Sequence, residues 1–355
     1  MARTRTKRSR KLGLPPGSLV HLGERKTATP GISLIEFDAG GLIEHRFESI
    51  EASRNFQPRH KTVWLNVHGL HDPEVLAEIG SRFGLHPLVL EDVLNTDQRP
   101  KVEEYGDYLY LVARMLTMNA EGSEVLSEQV SIVLGANFVL SFQERPTGTF
   151  DALRERLRQD KRHIRAEGAD YIAYAMLDVM VDHYFALMEN LGERIDAMED
   201  MLLDRPSREL LHRLHELKRV TLHLRRAIWP LREAVHQLQH ASSELLRPAT
   251  QIYLRDVYDH TVHLLESLDT HRDLLAGMLD IYLSSVSNRL NQELRALTVI
   301  TTLFLPAGLI AGTFGMNFHN MPLLDDAQGF FIALALMVGV ALAMAALFWR
   351  RNWLG

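Results

Sequence analysis

Residues 296–314 read ALTVITTLFLPAGLIAGTF and contain no aspartate, glutamate, lysine or arginine. At a rise of about 1.5 Å per residue, a helix of this length spans the roughly 30 Å hydrocarbon core of a bilayer. A second stretch without acidic or basic side chains covers residues 327–349. The sequence therefore predicts two transmembrane helices, at 296–314 and 327–349.

The distribution of charge around these two stretches predicts their orientation. The connecting loop at 315–326 begins with the tripeptide GMN and carries two aspartates but neither lysine nor arginine. The segment at 350–355 reads RRNWLG and is basic. Because positively charged flanks stay in the cytoplasm, we expect both termini in the cytoplasm and the loop outside.

Composition excludes several classes of function. The net charge of −6 argues against a nucleic-acid partner, and the absence of cysteine excludes thiol catalysis, disulfides and zinc–thiolate sites. No phosphate-binding loop or catalytic-triad signature occurs, so we expect neither an enzyme nor an organic cofactor. Residues 1–30 are basic without a following apolar core, which predicts a disordered tail rather than a secretory signal. Contact of this tail with anionic lipid is the alternative.

Residues 31–168 have the pattern of an α+β cytoplasmic domain with a mixed sheet. Short alternating or apolar runs predict strands at 32–37, 62–67, 108–116, 129–134 and 138–142. Helical patterns lie at 72–83, 87–95 and 151–159. The later strands follow one another closely, which favours hairpins and a partly antiparallel sheet.

From residue 169 onward the pattern is helical. Residues 169–247 predict two long antiparallel helices, the second covering 208–246, joined by a turn in which Ser207 is the expected N-cap. After Pro248, residues 248–295 predict a stalk helix that continues into the first transmembrane helix without a break. A helix of roughly 100 Å needs partners along its length, so we expect an oligomer.

The tripeptide GMN between two C-terminal membrane stretches resembles the CorA family of magnesium and cobalt transport proteins. Further family-like runs are HPLVLEDVLN with QRPK at 86–101, SEQVS at 127–131, HELKR at 215–219, IWPLRE at 228–233, RDVYDHT at 255–261 and IYLSSVSNRLN at 281–291. The resemblance implies a funnel-shaped homopentamer in the inner membrane with a large cytoplasmic part. It also implies influx of Mg²⁺, and of Co²⁺ or Ni²⁺, driven by the membrane potential.

The resemblance assigns Gly315, Met316 and Asn317 to the selectivity mouth. Taking the first transmembrane helix as pore lining, spacings of three and four residues place one set of side chains on a shared face. This set, called the pore face below, consists of Asn291, Leu294, Leu297, Thr298, Thr301, Leu305, Gly308 and Gly312. The spacing of Gly308 and Gly312 equally fits close packing between helices. Asp325 and Asp326 are expected to attract cations in the outer loop.

Acidic residues of the cytoplasmic part match family positions that bind regulatory Mg²⁺ between subunits. These are Asp92 and Asp256, with Glu91, Asp178 and Asp280 as further candidates. A divalent ion bridges carboxylates that would otherwise repel each other, so internal Mg²⁺ would hold the pore closed. The alternative is that each aspartate is a solvated charge on a helix.

Two other functions stay open from the sequence. A transporter of zinc or another transition metal shares this architecture, and the pairs His212/His215, His236/His240 and His260/His263 have one-face helical spacing. No HExxH motif or third ligand accompanies them. A membrane-anchored sensor or scaffold is the remote alternative, and in that case Asn317 would be replaceable.

Overall fold

In the computed structural model of the chain, the described residues are 12–54, 56–119, 124–204, 207–241, 243–316, 322 and 328–351. The chain divides into two compact units. The first comprises Met1–Asp200 and His212–Ala276, and the second comprises Met201–Leu211 and Gly277–Gly355. The first unit holds a mixed sheet with helices, and the second holds the two apolar helices.

The sheet of the first unit has seven strands in the order β2-β1-β3-β7-β6-β5-β4. Its strands are β1 Gly31–Asp38, β2 Gly41–Phe47, β3 Thr62–His68, β4 Lys101–Glu104, β5 Tyr108–Met118, β6 Val125–Gly135 and β7 Phe138–Gln143. The pairing of β3 with β7 is parallel, and the other neighbours are antiparallel. The mixed, partly antiparallel sheet expected from the sequence is confirmed.

Helices cover both faces of this sheet. On one face, α1 (Pro73–Phe83) and α2 (Pro87–Leu94) share an apolar core with Tyr108, Tyr110 and Val112 of β5. On the other face, Leu109 and Leu111 line an apolar contact zone with the start of α4 (Ala169–Asp204). This alternation along β5 follows from the two-residue period of a strand.

Local signals fix the ends of α1 and α2. The side chain of Asp72 accepts a hydrogen bond from the backbone N–H of Glu74 at 3.0 Å, so that α1 has an N-cap. Gly84, with φ of 63°, ends α1 in the left-handed conformation that glycine adopts readily. Pro87 then starts α2, whose last turn carries Asp92.

The remaining helices are α3 (Asp151–Arg158), α5 (Arg208–Gln239), α6 (Pro248–Phe314) and α7 (Gly329–Arg350). Ring contacts of Tyr174 with Tyr253 and of Phe185 with His263 show that α4 and α6 run in the same direction. Contacts of His236 with Tyr258 and of Arg225 with Asp269 show that α5 runs opposite to α6. Hence α4 and α5 are antiparallel. At the start of α5, the side-chain oxygen of Ser207 accepts a hydrogen bond from the N–H of Leu210 at 3.3 Å, as expected of an N-cap.

Three features differ from the sequence-based expectations. The strands β2 and β4 were not predicted, because their charged and polar residues at the two edges of the sheet obscure the strand pattern. Helix α5 ends at Gln239 rather than at residue 246, in a segment where Ser243 accepts a hydrogen bond from the N–H of Leu245.

The expectation of a disordered tail at 1–30 does not hold around Leu22. Leu22 is buried, its N–H donates to the carbonyl of Leu94, and its carbonyl accepts from the N–H of Thr96. The apolar side chain and these backbone bonds tie the segment to the end of α2.

A buried carboxylate joins the start of α4 to the start of α6. Asp170 is 4% exposed and accepts hydrogen bonds from the Arg247 guanidinium, at 3.0 Å, and from the Thr250 hydroxyl, at 2.6 Å. The backbone N–H of Arg247 also donates to Asp170, at 3.1 Å. A buried charge of this kind is tolerated because it is paired and fully hydrogen-bonded.

We expect Arg247→Met to lower the free energy of unfolding of the first unit by about 2–4 kcal/mol, because it leaves Asp170 buried without its cation. The matched control is Arg158→Met, which breaks an exposed ion pair with Glu44 and should cost about 1 kcal/mol or less. Chemical denaturation of both variants in detergent measures the difference. Equal stability of the two variants would contradict the assignment.

Candidate functional site

Among the described residues, two helices are long and apolar enough to cross a membrane, α6 and α7. Many of their large side chains have no cover in the chain. Phe304 is 67% exposed, Leu309 is 70% exposed and Phe330 is 72% exposed. Exposed apolar surface of this extent is unfavourable in water and requires lipid or protein around it.

Each of the two helices has one stripe that is at least half-buried. On α6 the stripe consists of Val299, Thr302, Leu303, Pro306, Ala307, Ile310 and Phe314. On α7 it consists of Gly329, Ala333, Met337, Val340, Ala341, Met344, Ala345 and Phe348. The spacing of three and four residues defines a single face on each helix, which we infer is turned toward the rest of the second unit.

The pore face lies on the other side of α6. All of its members, from Asn291 to Gly312, are exposed. At 3.6 residues per turn, the pore face and the half-buried stripe are centred about 180° apart around the helix axis. The single chain therefore leaves the pore face free for contact with another copy, with water or with lipid.

The glycines of the pore face have no packing partner among the described residues. A Cβ atom built at Gly308 or Gly312 meets no heavy atom within 4 Å. The spacing of these small residues also fits close packing of two helices. No helix in the described part of this chain packs closely against Gly308 or Gly312.

The C-terminal end of α6 leads into the tripeptide GMN. The N–H of Gly315 donates to the carbonyl of Ala311 at 2.9 Å, and the side chain of Met316 is exposed. A Cβ atom at Gly315 would lie 3.2 Å from that same carbonyl oxygen, so the tight end of the helix favours glycine. Asn317, Asp325 and Asp326 lie outside the described residues.

In the first unit, Asp92 is held by a lysine. The ammonium of Lys101 lies 2.6 Å from a carboxylate oxygen of Asp92 and 2.6 Å from one of Glu103. Although burial acts in the opposite direction, these hydrogen bonds raise the pKa of Lys101 above its usual value. Lys101 is therefore positively charged at neutral pH and occupies the space between two carboxylates.

The surroundings of this ion pair form an open pocket of about 490 Å³, to which Glu104 and Tyr105 also contribute. Burial, and then the hydrogen bond of its hydroxyl to Glu103, raise the pKa of Tyr105 to about 12. One lysine thus faces three carboxylates, of Asp92, Glu103 and Glu104. The other acidic candidate on α2, Glu91, accepts a hydrogen bond from the N–H of Gly17 at 2.5 Å.

Asp178 and Asp256 come close enough to influence each other across α4 and α6. Burial raises the pKa of Asp178, and the charges of Asp182 and Asp256 raise it further. The carboxylate of Asp256 is 64% exposed and lies 3.9 Å from the ring of His260. Asp280 is exposed on α6 within the second unit. No described contact joins Asp92 to Asp256 within the chain.

The histidine pairs do not form a metal centre in the described residues, where no group of three or more potential ligands comes together. The rings of His236 and His240 lie 4.4 Å apart, and His260 and His263 both pack on Phe185. Their described contacts include this aromatic packing, a hydrogen bond between the His240 ring and the carbonyl of His236, and the approach of His260 to Asp256.

Lys101 is the residue near the predicted sites that the sequence pattern did not single out. It ends the QRPK run, nine residues after Asp92. The reversal of the chain after α2 could not be inferred from that spacing alone. The sequence does contain one signal that points to Lys101, because it is a basic residue close in sequence to the predicted metal-binding carboxylate of Asp92.

The chain matches the family described as CorA-like Mg²⁺ transporter protein over residues 59–351. It belongs to this family. The family is one of transporters, in agreement with the expectation that the chain is not an enzyme. The mixed-sheet domain followed by two apolar helices is the architecture expected from the resemblance.

Two curated relatives and one solved structure support membership of the CorA family. The chain is 41% identical to the cobalt/magnesium transport protein CorA of Thermotoga maritima, over 98% of each chain. It is 32% identical to a putative metal ion transporter of Bacillus subtilis, over 87% of this chain and 96% of that protein. The complete structure of the CorA magnesium transporter from Methanocaldococcus jannaschii matches with a TM-score of 0.79 and 22% identity, over 92% of this chain and 100% of that one. The last likeness shows the fold.

Proposed function

We propose that the chain is a CorA-type channel for divalent cations that admits Mg²⁺, and also Co²⁺ or Ni²⁺, into the cytoplasm. The observation that carries the proposal is the exposed pore face of α6, opposite the half-buried stripe and ending at Gly315 and Met316. The name of the relative in Thermotoga maritima supports magnesium and cobalt as substrates.

The uncovered pore face supports a homopentamer in the inner membrane. Copies that turn this face toward a common axis would cover it and enclose a path for ions. The proposed orientation has both termini in the cytoplasm, because Arg350 and Arg351 follow α7 while the loop at 315–326 has no basic residue. Domain limits follow from this arrangement, with residues 315–326 outside and the part up to residue 295 inside.

The side chains of the pore face suit a hydrated divalent ion. Mg²⁺ prefers oxygen ligands and loses its water slowly. A ring of Asn317 carboxamides accepts hydrogen bonds from the water shell without the tight hold of carboxylates, so the ion can leave. Asp325 and Asp326 would concentrate cations outside this ring.

Rings of leucine provide a place where the path can close. Leu294, Leu297 and Leu305 are each at least 50% exposed on the pore face, and leucine rings of this kind block ions by excluding water. For an open path, an inside-negative potential drives a divalent ion inward with about 2.3 kcal/mol per charge per 100 mV.

Regulation by internal Mg²⁺ at Asp92 and Asp256 of neighbouring copies is the second part of the proposal, with Glu91, Asp178 and Asp280 as auxiliary carboxylates. The position of Lys101 adds a physical element to it. Its ammonium already forms ion pairs with both Asp92 and Glu103, so Mg²⁺ has to displace this tethered cation. Such competition weakens the apparent affinity for Mg²⁺ and raises the concentration needed for closure.

We expect Mg²⁺ to enter proteoliposomes that contain the protein under an inside-negative potential without a proton gradient. Asn317→Ala should abolish selective entry, because the carboxamide ring is lost. Asn320→Ala removes a second asparagine of the same loop and serves as the control. An internal Mg²⁺-sensitive dye reports the flux. Unchanged entry through Asn317→Ala contradicts the role of the mouth, and entry of Zn²⁺ alone, only with a proton gradient, favours the zinc-transporter alternative.

For regulation, we expect the double variant Asp92→Asn and Asp256→Asn to raise the internal Mg²⁺ concentration that half-inhibits flux by about tenfold or more. Lys101→Met should shift this concentration in the opposite direction, because the competing ammonium is removed. Lys218→Met, an exposed lysine on α5, is the control and should have no effect. Inhibition that is unaltered in the double variant would disprove the regulatory site.

A further inference from the structure

A basic cleft in the first unit belongs to neither the pore nor the regulatory carboxylates. It has a volume of about 660 Å³ and lies between the turn at 97–100, the β5–β6 pair and α5. Its lining includes four arginines, Arg99, Arg114, Arg225 and Arg226, and a single carboxylate, that of Asp97. The lining therefore has a strong excess of positive charge.

Two of the arginines are fixed by partners in the fold. Arg114 donates to the hydroxyl of Ser127 at 3.0 Å and to the carbonyl of Thr96 at 2.8 Å. Arg225 forms an ion pair with Asp269 of α6. Of these two, Arg114 donates to neutral acceptors in the described part of the chain, where no carboxylate pairs with it.

The other two arginines have no ion pair among the described residues. Arg226 is exposed on α5, and the guanidinium of Arg99 lies 5.0 Å from the ring centroid of Trp229. Stacking on the indole holds Arg99 over the cleft while leaving its N–H groups available. Trp229 itself is 41% exposed, although the guanidinium groups of Arg99 and Arg232 lie 5.0 Å and 6.0 Å from its ring centroid.

We propose that this cleft binds an oligophosphate anion of the cytoplasm, of the chemical class of nucleoside triphosphates. Guanidinium groups pair with phosphate oxygens through two parallel hydrogen bonds, and several arginines converging on one space match several linked phosphates. The volume lies within the range of small-molecule sites. The exposed indole adds an aromatic surface beside the arginines on which a base can stack.

The test is a titration of the full-length protein in detergent with ATP and, separately, with inorganic triphosphate. Both are run in the presence of EDTA, so that binding does not depend on a metal. Calorimetry measures affinity. The variant Arg99→Ala with Arg226→Ala should bind about tenfold more weakly or worse, because two charge-assisted contacts are lost. Arg219→Ala, an exposed arginine two turns earlier on α5, is the control.

Comparison of the two ligands identifies the recognised chemistry. Binding of both, lost in the double variant, supports recognition of the phosphate chain. Binding of ATP alone, weakened by Trp229→Leu as well as by the double variant, adds the base to the site. Thermal melting confirms that the variants are folded. Absence of binding by either ligand at millimolar concentration, or equal binding by wild type and double variant, overturns the proposal without bearing on ion flux.

Discussion

Large apolar side chains on α6 and α7 must be removed from water by something other than the described part of the chain. Ile300, Phe304 and Leu309 are each more than half exposed, and burying such side chains is worth about 1.5–3 kcal/mol each. This requirement explains why the second unit needs a membrane. In the proposed channel, the pore face, which is uncovered but includes asparagine, threonine and glycine, lines a water-filled path shared by several copies rather than contacting lipid.

The first unit covers the apolar faces of its sheet, and pairs a buried charge, with side chains of its own. The sheet has helices on both faces, and the buried carboxylate of Asp170 at the start of α4 is paired with Arg247. At Asp92, however, the paired cation can be exchanged, because it is the long side chain of Lys101, which is 31% exposed. In the proposed regulation, replacement of this tethered cation by a divalent ion is the physical basis for sensitivity to Mg²⁺.

Much of the fold could be predicted from the sequence, for reasons visible in single elements. The central strands β3, β5, β6 and β7 have long buried runs, whereas the edge strands β2 and β4 carry charges on their solvent side and were missed. The continuity of α6 was predictable because only Pro306 interrupts its pattern inside the helix.

The candidate sites were predictable only in part. Helical spacing alone grouped Asn291 to Gly312 on one face, and the structure adds that all members of this face are exposed. The ion pair of Asp92 with Lys101 depends on how the chain reverses direction between α2 and β4. The basic cleft joins Arg99 to Trp229, which are separated by more than 100 residues, and a single sequence carries no signal for such a pairing.

The central claim is that the exposed face of α6, and not its half-buried stripe, lines the ion path. The chain has no cysteine, so single-cysteine variants at each position from 291 to 312 give an unambiguous scan. Inhibition of Mg²⁺ flux by a small, charged thiol reagent is the measurement. The account predicts inhibition at Leu294, Thr301 and Leu305 and none at Thr302, Leu303 or Ile310. Inhibition that follows the half-buried stripe, or has no helical period, would contradict it.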